Sequence, residues 1–197
     1  MRKFPQLHAP ITGIVVDESA CETDDLAFCG GVQVTVPATE SWDALVARAV
    51  ASDWRGIEAL SGLNGTVADA VRDNFMAHGQ GVGDVLYSVR TWDRSADAQK
   101  TFPMSDLGLI SGGSRLQEKL TDGSLRFEIL DVAFLFRQGD LTTPIHDDAL
   151  AALVGLSEGG RAKLTAVREA VLSLGQRSLV FHSLAVGQGS QTPPLIE

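Results

Sequence analysis

Between Ser124 and Arg137 the apolar residues change parity: Leu125, Phe127 and Ile129 occupy alternate positions, then Leu130, Val132, Phe134 and Phe136 continue on the other set. A strand with apolar side chains pointing both ways is buried on both faces or carries a one-residue bulge, here near Leu130. Such a segment belongs in the middle of a sheet and needs neighbours on both edges.

The neighbours are readable. Ile11 to Val16 and Gly31 to Val36 predict strands, the second with Val32, Val34 and Val36 on one face and Pro37 ending it. Asp84 to Asp93 predicts another, with Val85, Tyr87 and Val89 on one parity and Leu86 and Trp92 on the other. Ser95-Ala96-Asp97 turns it into Gln99 to Met104, a hairpin. From Glu40 to Ser52, Trp42, Leu45, Val46, Ala49 and Val50 form the stripe of an amphipathic helix. A short helix is expected over Asp147 to Val154 and a longer one over Arg161 to Leu174, stopped by Gly175. The class is α+β, a mostly antiparallel sheet flanked by helices.

A chain of 197 residues that is 44% hydrophobic can build a core without staples. Its 25 acidic and 16 basic residues give a net charge of −9 with no Lys/Arg cluster, which speaks against nucleic acid. No apolar run approaches the ~18 residues of a membrane span, and Met1 to Pro5 leads into Gln6, His8 and Pro10 rather than a secretory core. A cytoplasmic protein is expected, with Cys21 and Cys29 as reduced thiols rather than a disulfide or a zinc site.

The segment Gly56-Ile57-Glu58-Ala59-Leu60-Ser61-Gly62-Leu63-Asn64-Gly65-Thr66-Val67 resembles the G-[IV]-E-x-L-S-G-I-P-G-[ST]-V run of the UDP-N-acetylenolpyruvoylglucosamine reductases, the MurB type. Asn74, Ala77, Gly79 and Gln80 then resemble Q-N-x-G-A-Y-G-Q, and Val85 to Arg94 is similar to D-V-L-x-S-V-x-V-Y-D-R. Ile129 to Phe134 and Val167 to Leu172 also resemble family segments. The resemblance implies the second half of a vanillyl-alcohol-oxidase-type FAD domain without its first βαβ lobe, whose Gly-rich loop holds the FAD pyrophosphate. It divides the chain into a flavin-domain remnant over 1–140, a helical segment over 141–186 that leads to the substrate domain, and a tail over 187–197 that is rich in Gly, Gln, Ser and Pro.

The departures lie where the flavin would be handled. Ala68 and Met76 stand where the family has small glycines against the ring, and Met76 would fill volume the ring needs. Val71, Asp73 and His78 replace Pro, Gln and Tyr. The family's Gly-Tyr-Arg-x-Ser aligns with Ile110 to Ser114, leaving Ser114 but no Tyr or Arg, with Arg115 one position on. The proton-donating serine has a counterpart only in Gly189-Ser190, without the aromatic pair, and the resemblance implies no counterpart among these 197 residues for the portion bearing the catalytic glutamate.

These substitutions set the candidates. His78, Asp73 and Ser114 are the candidate catalytic residues, with Ala68, Asp69, Asn74, Met76 and Arg115 as substrate contacts and no metal. His78 is equally a turn histidine, and Asp69 and Asp73 are either paired carboxylates or a solvated acidic face. Ser114, His78 and Asp73 make a triad on paper without a G-x-S-x-G elbow, and His146-Asp147-Asp148 reads as a helix start. The expectation is an enzyme without a cofactor, a cycloaddition-type cyclase or isomerase of polyketide-like specialised metabolism (antibiotic biosynthesis). Its partner is an apolar small molecule, and a homodimer is admissible. The alternatives are an FAD-dependent oxidoreductase completed by a partner subunit, and a non-catalytic binding module.

Overall fold

The computed structural model describes residues 11–17, 31–110 and 112–174. Cys21 and Cys29, His8, His182, Gly189-Ser190 and the 187–197 tail lie outside the described residues.

Six strands form one antiparallel sheet: β1 (Val15–Asp17), β2 (Gly31–Pro37), β3 (Trp54–Arg55), β6 (Leu86–Asp93), β7 (Ala98–Pro103) and β8 (Phe127–Gln138). Along the sheet the order is β1-β2-β8-β6-β7, and β3 pairs with the end of β8. A separate two-stranded hairpin is made by β4 (Met76–Ala77) and β5 (Gln80–Gly81). The helices are α1 (Trp42–Ala51), α2 (Val67–Arg72), α3 (Asp148–Leu153) and α4 over residues 164–174. Among the described residues no helix is long and apolar enough to cross a membrane.

The double-parity segment is the central strand, and its change of parity is a bulge. Arg90 pairs with Asp131 and Thr91 with Ile129, so Leu130 has no opposite number on β6. The bulge lets Phe127, Ile129, Val132, Phe134 and Phe136 all enter the core.

Trp42 of α1 meets Phe134 at 6.3 Å between centroids, Phe134 stacks on Phe136 at 5.6 Å, and Phe136 stacks on Trp54 at 5.9 Å. Each such buried side chain contributes roughly 1.5–3 kcal/mol of transfer free energy. The α1 stripe is buried as its periodicity predicts, and Ser41 caps the helix by accepting from Ala44 N–H at 3.4 Å.

Tyr87 departs from its expected place beside Val85 and Val89. The strand begins at Leu86, a register shift separates Leu86 from Ser88, and Tyr87 is turned outward, 53% exposed. A shift of one residue exchanges the faces of a strand, and parity counted straight through it misplaces the residue at the irregularity. The first strand is also shorter than Ile11 to Val16, covering Val15–Asp17 only.

A second, smaller cluster joins Ile145, Leu150, Ala151, Val167 and Val171 to Ala59. It seats α3 and α4 against the Glu58–Leu60 turn. Asp147 caps α3 by accepting from Leu150 N–H at 2.7 Å, the helix start read from His146-Asp147-Asp148.

Candidate functional site

Gly65, at φ +128°, brings the chain into α2. Thr66 then makes a reciprocal cap with Asp69: Asp69 N–H donates to Thr66 Oγ1 at 3.2 Å and Thr66 N–H donates to Asp69 Oδ2 at 2.9 Å. Val67 N–H donates to Glu40 C=O and Ala68 N–H to Ala38 C=O, both at 2.9 Å, which pins the turn to the loop between β2 and α1. The Thr66 N–H, then its hydroxyl and Arg72, outweigh burial and hold the Asp69 carboxyl below the usual carboxylate range.

Beside this turn is a hollow of about 390 Å³, a size within the ~300–1,000 Å³ of small-molecule sites. Ala38, Ala68, Leu125, Phe127 and Ile129 give it apolar walls, and Asp69, Arg72, Arg94 and Glu128 stand around them. Both cations are matched, Arg72 Nη1 to Asp69 Oδ1 at 2.8 Å and Arg94 Nη2 to Glu128 Oε2 at 3.0 Å.

Asp73, Asn74 and Ser114 tie Ile110 and the Ser114–Gln117 stretch to the end of α2, while Arg115 bonds its neighbour Glu118. Ser114 Oγ donates to Arg72 C=O at 2.8 Å and accepts from Leu116 N–H at 3.2 Å. Asn74, buried, donates to Ile110 C=O at 3.0 Å and accepts from Gly83 N–H at 3.3 Å. Asp73 accepts from Gln117 Nε2 at 3.0 Å, and Arg115 Nε donates to Glu118 at 2.9 Å. Asp69 and Asp73 therefore serve different partners, and the Ser114 hydroxyl is bonded to backbone groups rather than to His78.

His78 and Gly79, both at positive φ, form the two-residue turn between β4 and β5. His78 lines a second hollow, of about 250 Å³, with Nδ1 3.9 Å from Asp147 Oδ1. This hollow shares no lining residue with the one at α2. Met76 is 57% exposed on the same hairpin.

Glu58 was not singled out from the sequence, yet it is fully buried and organises this side of the molecule. Its carboxylate accepts from Gly56 N–H at 2.6 Å and Gln80 Nε2 at 2.8 Å, and Gln80 Oε1 accepts from Ala59 N–H at 2.8 Å. An acidic residue inside the apolar run Ile57 to Leu60 is the signal that would have found it, because a buried carboxylate must be hydrogen-bonded.

The flavin implied by the resemblance demands a slot for a flat ring and positive charge or free donors where the reduced ring turns anionic. The α2 hollow has the walls for a ring. It lacks the charge: Arg72 and Arg94 are each matched by a carboxylate, and the N–H groups of Thr66, Val67, Ala68 and Asp69 are bonded within the chain. These residues do not fit a flavin that is reduced in this hollow.

No protein-family model matches the chain. It is 35% identical over 150 residues to the UDP-N-acetylenolpyruvoylglucosamine reductase of Cutibacterium acnes, covering 76% of this chain and 39% of that protein. To the Thermobifida fusca reductase it is 34% identical over 158 residues, covering 80% of this chain and 42% of that one. To the Saccharopolyspora erythraea reductase it is 37% identical over 145 residues, covering 74% and 38%. The solved reductase (MurB) from Thermus caldophilus overlays 73% of this chain and 42% of that chain with 17% identity and a TM-score of 0.42, too loose a likeness to place residues. The chain spans about two fifths of the length of the curated relatives it matches. Over that span it is a relative of the UDP-N-acetylenolpyruvoylglucosamine reductases, the MurB type.

Proposed function

We propose that the chain uses the MurB-type scaffold to bind a flat, largely apolar small molecule in the α2 hollow and to act on it without a redox cofactor, as a cyclase or isomerase of the cycloaddition type. One observation carries this reading: the walls suit a ring, while both neighbouring guanidiniums are already neutralised by Asp69 and Glu128. Holding two reacting groups of such a substrate in contact can supply roughly 7–11 kcal/mol of the barrier by orientation alone. Ala68, Phe127 and Ile129 would shape that contact. A polyunsaturated, polyketide-like metabolite in the cytoplasm has the required form.

A second reading is favoured by the 34–37% identity to the reductases. In it the chain is the core of an FAD-dependent oxidoreductase of the same type, and another polypeptide or segment completes it. The visible spectrum of the purified protein, before and after titration with FAD, separates the two. A colourless protein that leaves the FAD spectrum unchanged is expected; bound flavin would sink the cofactor-free reading and support the second.

A further inference from the structure

Arg55 and Arg137 stand directly opposite each other across β3 and β8, so their side chains leave the sheet on the same face. Both line a cavity of about 270 Å³, with Gln80, Leu135 and Thr143 among its other walls. Six guanidiniums among the described residues are matched: Arg72, Arg90, Arg94, Arg115, Arg126 and Arg168 each meet a carboxylate. Arg48, Arg55, Arg137 and Arg161 meet none among the described residues, and of these only Arg55 and Arg137 stand opposite each other and line this cavity, in a chain where acids outnumber bases 25 to 16. Asp84 also lines the cavity, but its Oδ2 accepts from Gly81 N–H at 2.8 Å.

Arg55 is half-buried with an Nε that has no partner. Its guanidinium lies over Gly139, where a Cβ would come within 3.5 Å of Nη1. Like charges directly opposed on neighbouring strands are unfavourable. An anion between the two would relieve them, and the guanidinium fork suits the planar or tetrahedral oxygens of a carboxylate or phosphate.

We infer that Arg55 and Arg137 form a binding site for an oxyanion, a phosphate or carboxylate carried by a small molecule. The cavity shares Gly79, Gln80 and Thr143 with the hollow beside His78, so the rest of the molecule lies along that groove towards Ile145 and Leu150. It shares no lining residue with the α2 hollow and stands independently of the function proposed for that hollow.

Calorimetric titration of the full chain with inorganic phosphate, and separately with acetate, at constant ionic strength tests the site. Saturable binding of at least one is expected, and the tighter of the two identifies the group. Arg137→Gln should weaken it at least tenfold. Arg55→Lys, which keeps the charge and loses the fork, should also weaken it, and Arg161→Gln, exposed and outside the cavity, should leave it unchanged. Arg137 is exposed, so its variant keeps the fold, which a thermal melt verifies. No saturable binding of either anion, or binding undiminished in both cavity variants, overturns the inference.

Discussion

Arg168 holds the Asp43 carboxylate at both ends, Nη1 to Oδ1 at 2.7 Å and Nη2 to Oδ2 at 2.9 Å. The same Oδ1 accepts from Gly62 N–H at 2.7 Å, and Arg168 Nη1 reaches Ser61 Oγ at 3.1 Å. One ion pair thus joins α1, the loop after Leu60 and α4. The Arg168 hydrogen bonds, aided by Gly62 N–H and opposed by burial, hold the Asp43 carboxyl below the usual carboxylate range. A depressed folded pKa stabilises the protein above the unfolded value of about 3.9, and the contribution is lost as pH falls through the folded value. Asp43→Asn should therefore melt lower than the parent at neutral pH. Discounted for the partial exposure of Asp43, the difference is roughly 1 kcal/mol, or about 2–4 °C. Melting curves of the two proteins should converge as the pH is taken below about 4.

Gly56, at φ +123°, faces Val85, whose Cγ1 would lie 2.7 Å from an added Cβ. Gly79, at φ +75°, has nothing within 4 Å of that point. Gly56→Ala combines backbone strain with a clash and should cost roughly 1–3 kcal/mol, whereas Gly79→Ala meets backbone strain only and should cost about 1 kcal/mol. Urea titrations with unchanged slopes should show the larger midpoint shift for Gly56→Ala. Equal shifts would mean that the Gly56–Val85 contact is not tight.

The aromatic row through Trp42, Phe134, Phe136 and Trp54 runs through the core. Phe134→Ala removes its middle and should cost roughly 3–5 kcal/mol. Tyr87→Ala, at the outward-turned irregularity of β6, should stay within about 0.5 kcal/mol of the parent. Chemical denaturation measures both, and a large loss at Tyr87 would show that this ring is covered in solution.

Much of this arrangement is legible in the residues themselves. The parity change at Leu130 marks the central strand, because a pleated strand exposes each parity to one face only, and the pairing with β6 decides for a bulge over burial on both faces. The α1 stripe and the Asp147 cap follow from helical periodicity and capping chemistry. Tyr87 is misread because a register shift leaves no local mark. Arg55 and Arg137 are invisible as a pair, since only the β3–β8 register sets them opposite one another. Asp69 and Asp73 look like partners by helical spacing, yet Thr66-Val67-Ala68-Asp69 also carries the capping-box pattern, and the cap takes Asp69. Ser114 is a catalytic candidate by its place in the sequence, and only the folded loop shows its hydroxyl bonded to Arg72 C=O.

That cap leads to a test of how the α2 hollow keeps its charge. Thr66→Ala removes the hydroxyl that accepts from Asp69 N–H and donates to Asp69 Oδ2 at 2.7 Å, while the backbone N–H of residue 66 still reaches the carboxylate. The lost cap should cost about 1 kcal/mol. Because the hydroxyl is one of the groups holding the Asp69 carboxyl down, that carboxyl should titrate at higher pH in the variant. It should still be below the usual carboxylate range, since the N–H and Arg72 remain. Side-chain carboxyl titration by NMR reads the shift, and hydrogen exchange along α2 reads the loosened cap. An unchanged Asp69 titration in a folded Thr66→Ala protein would show that Arg72 and the backbone alone keep the hollow anionic at this wall.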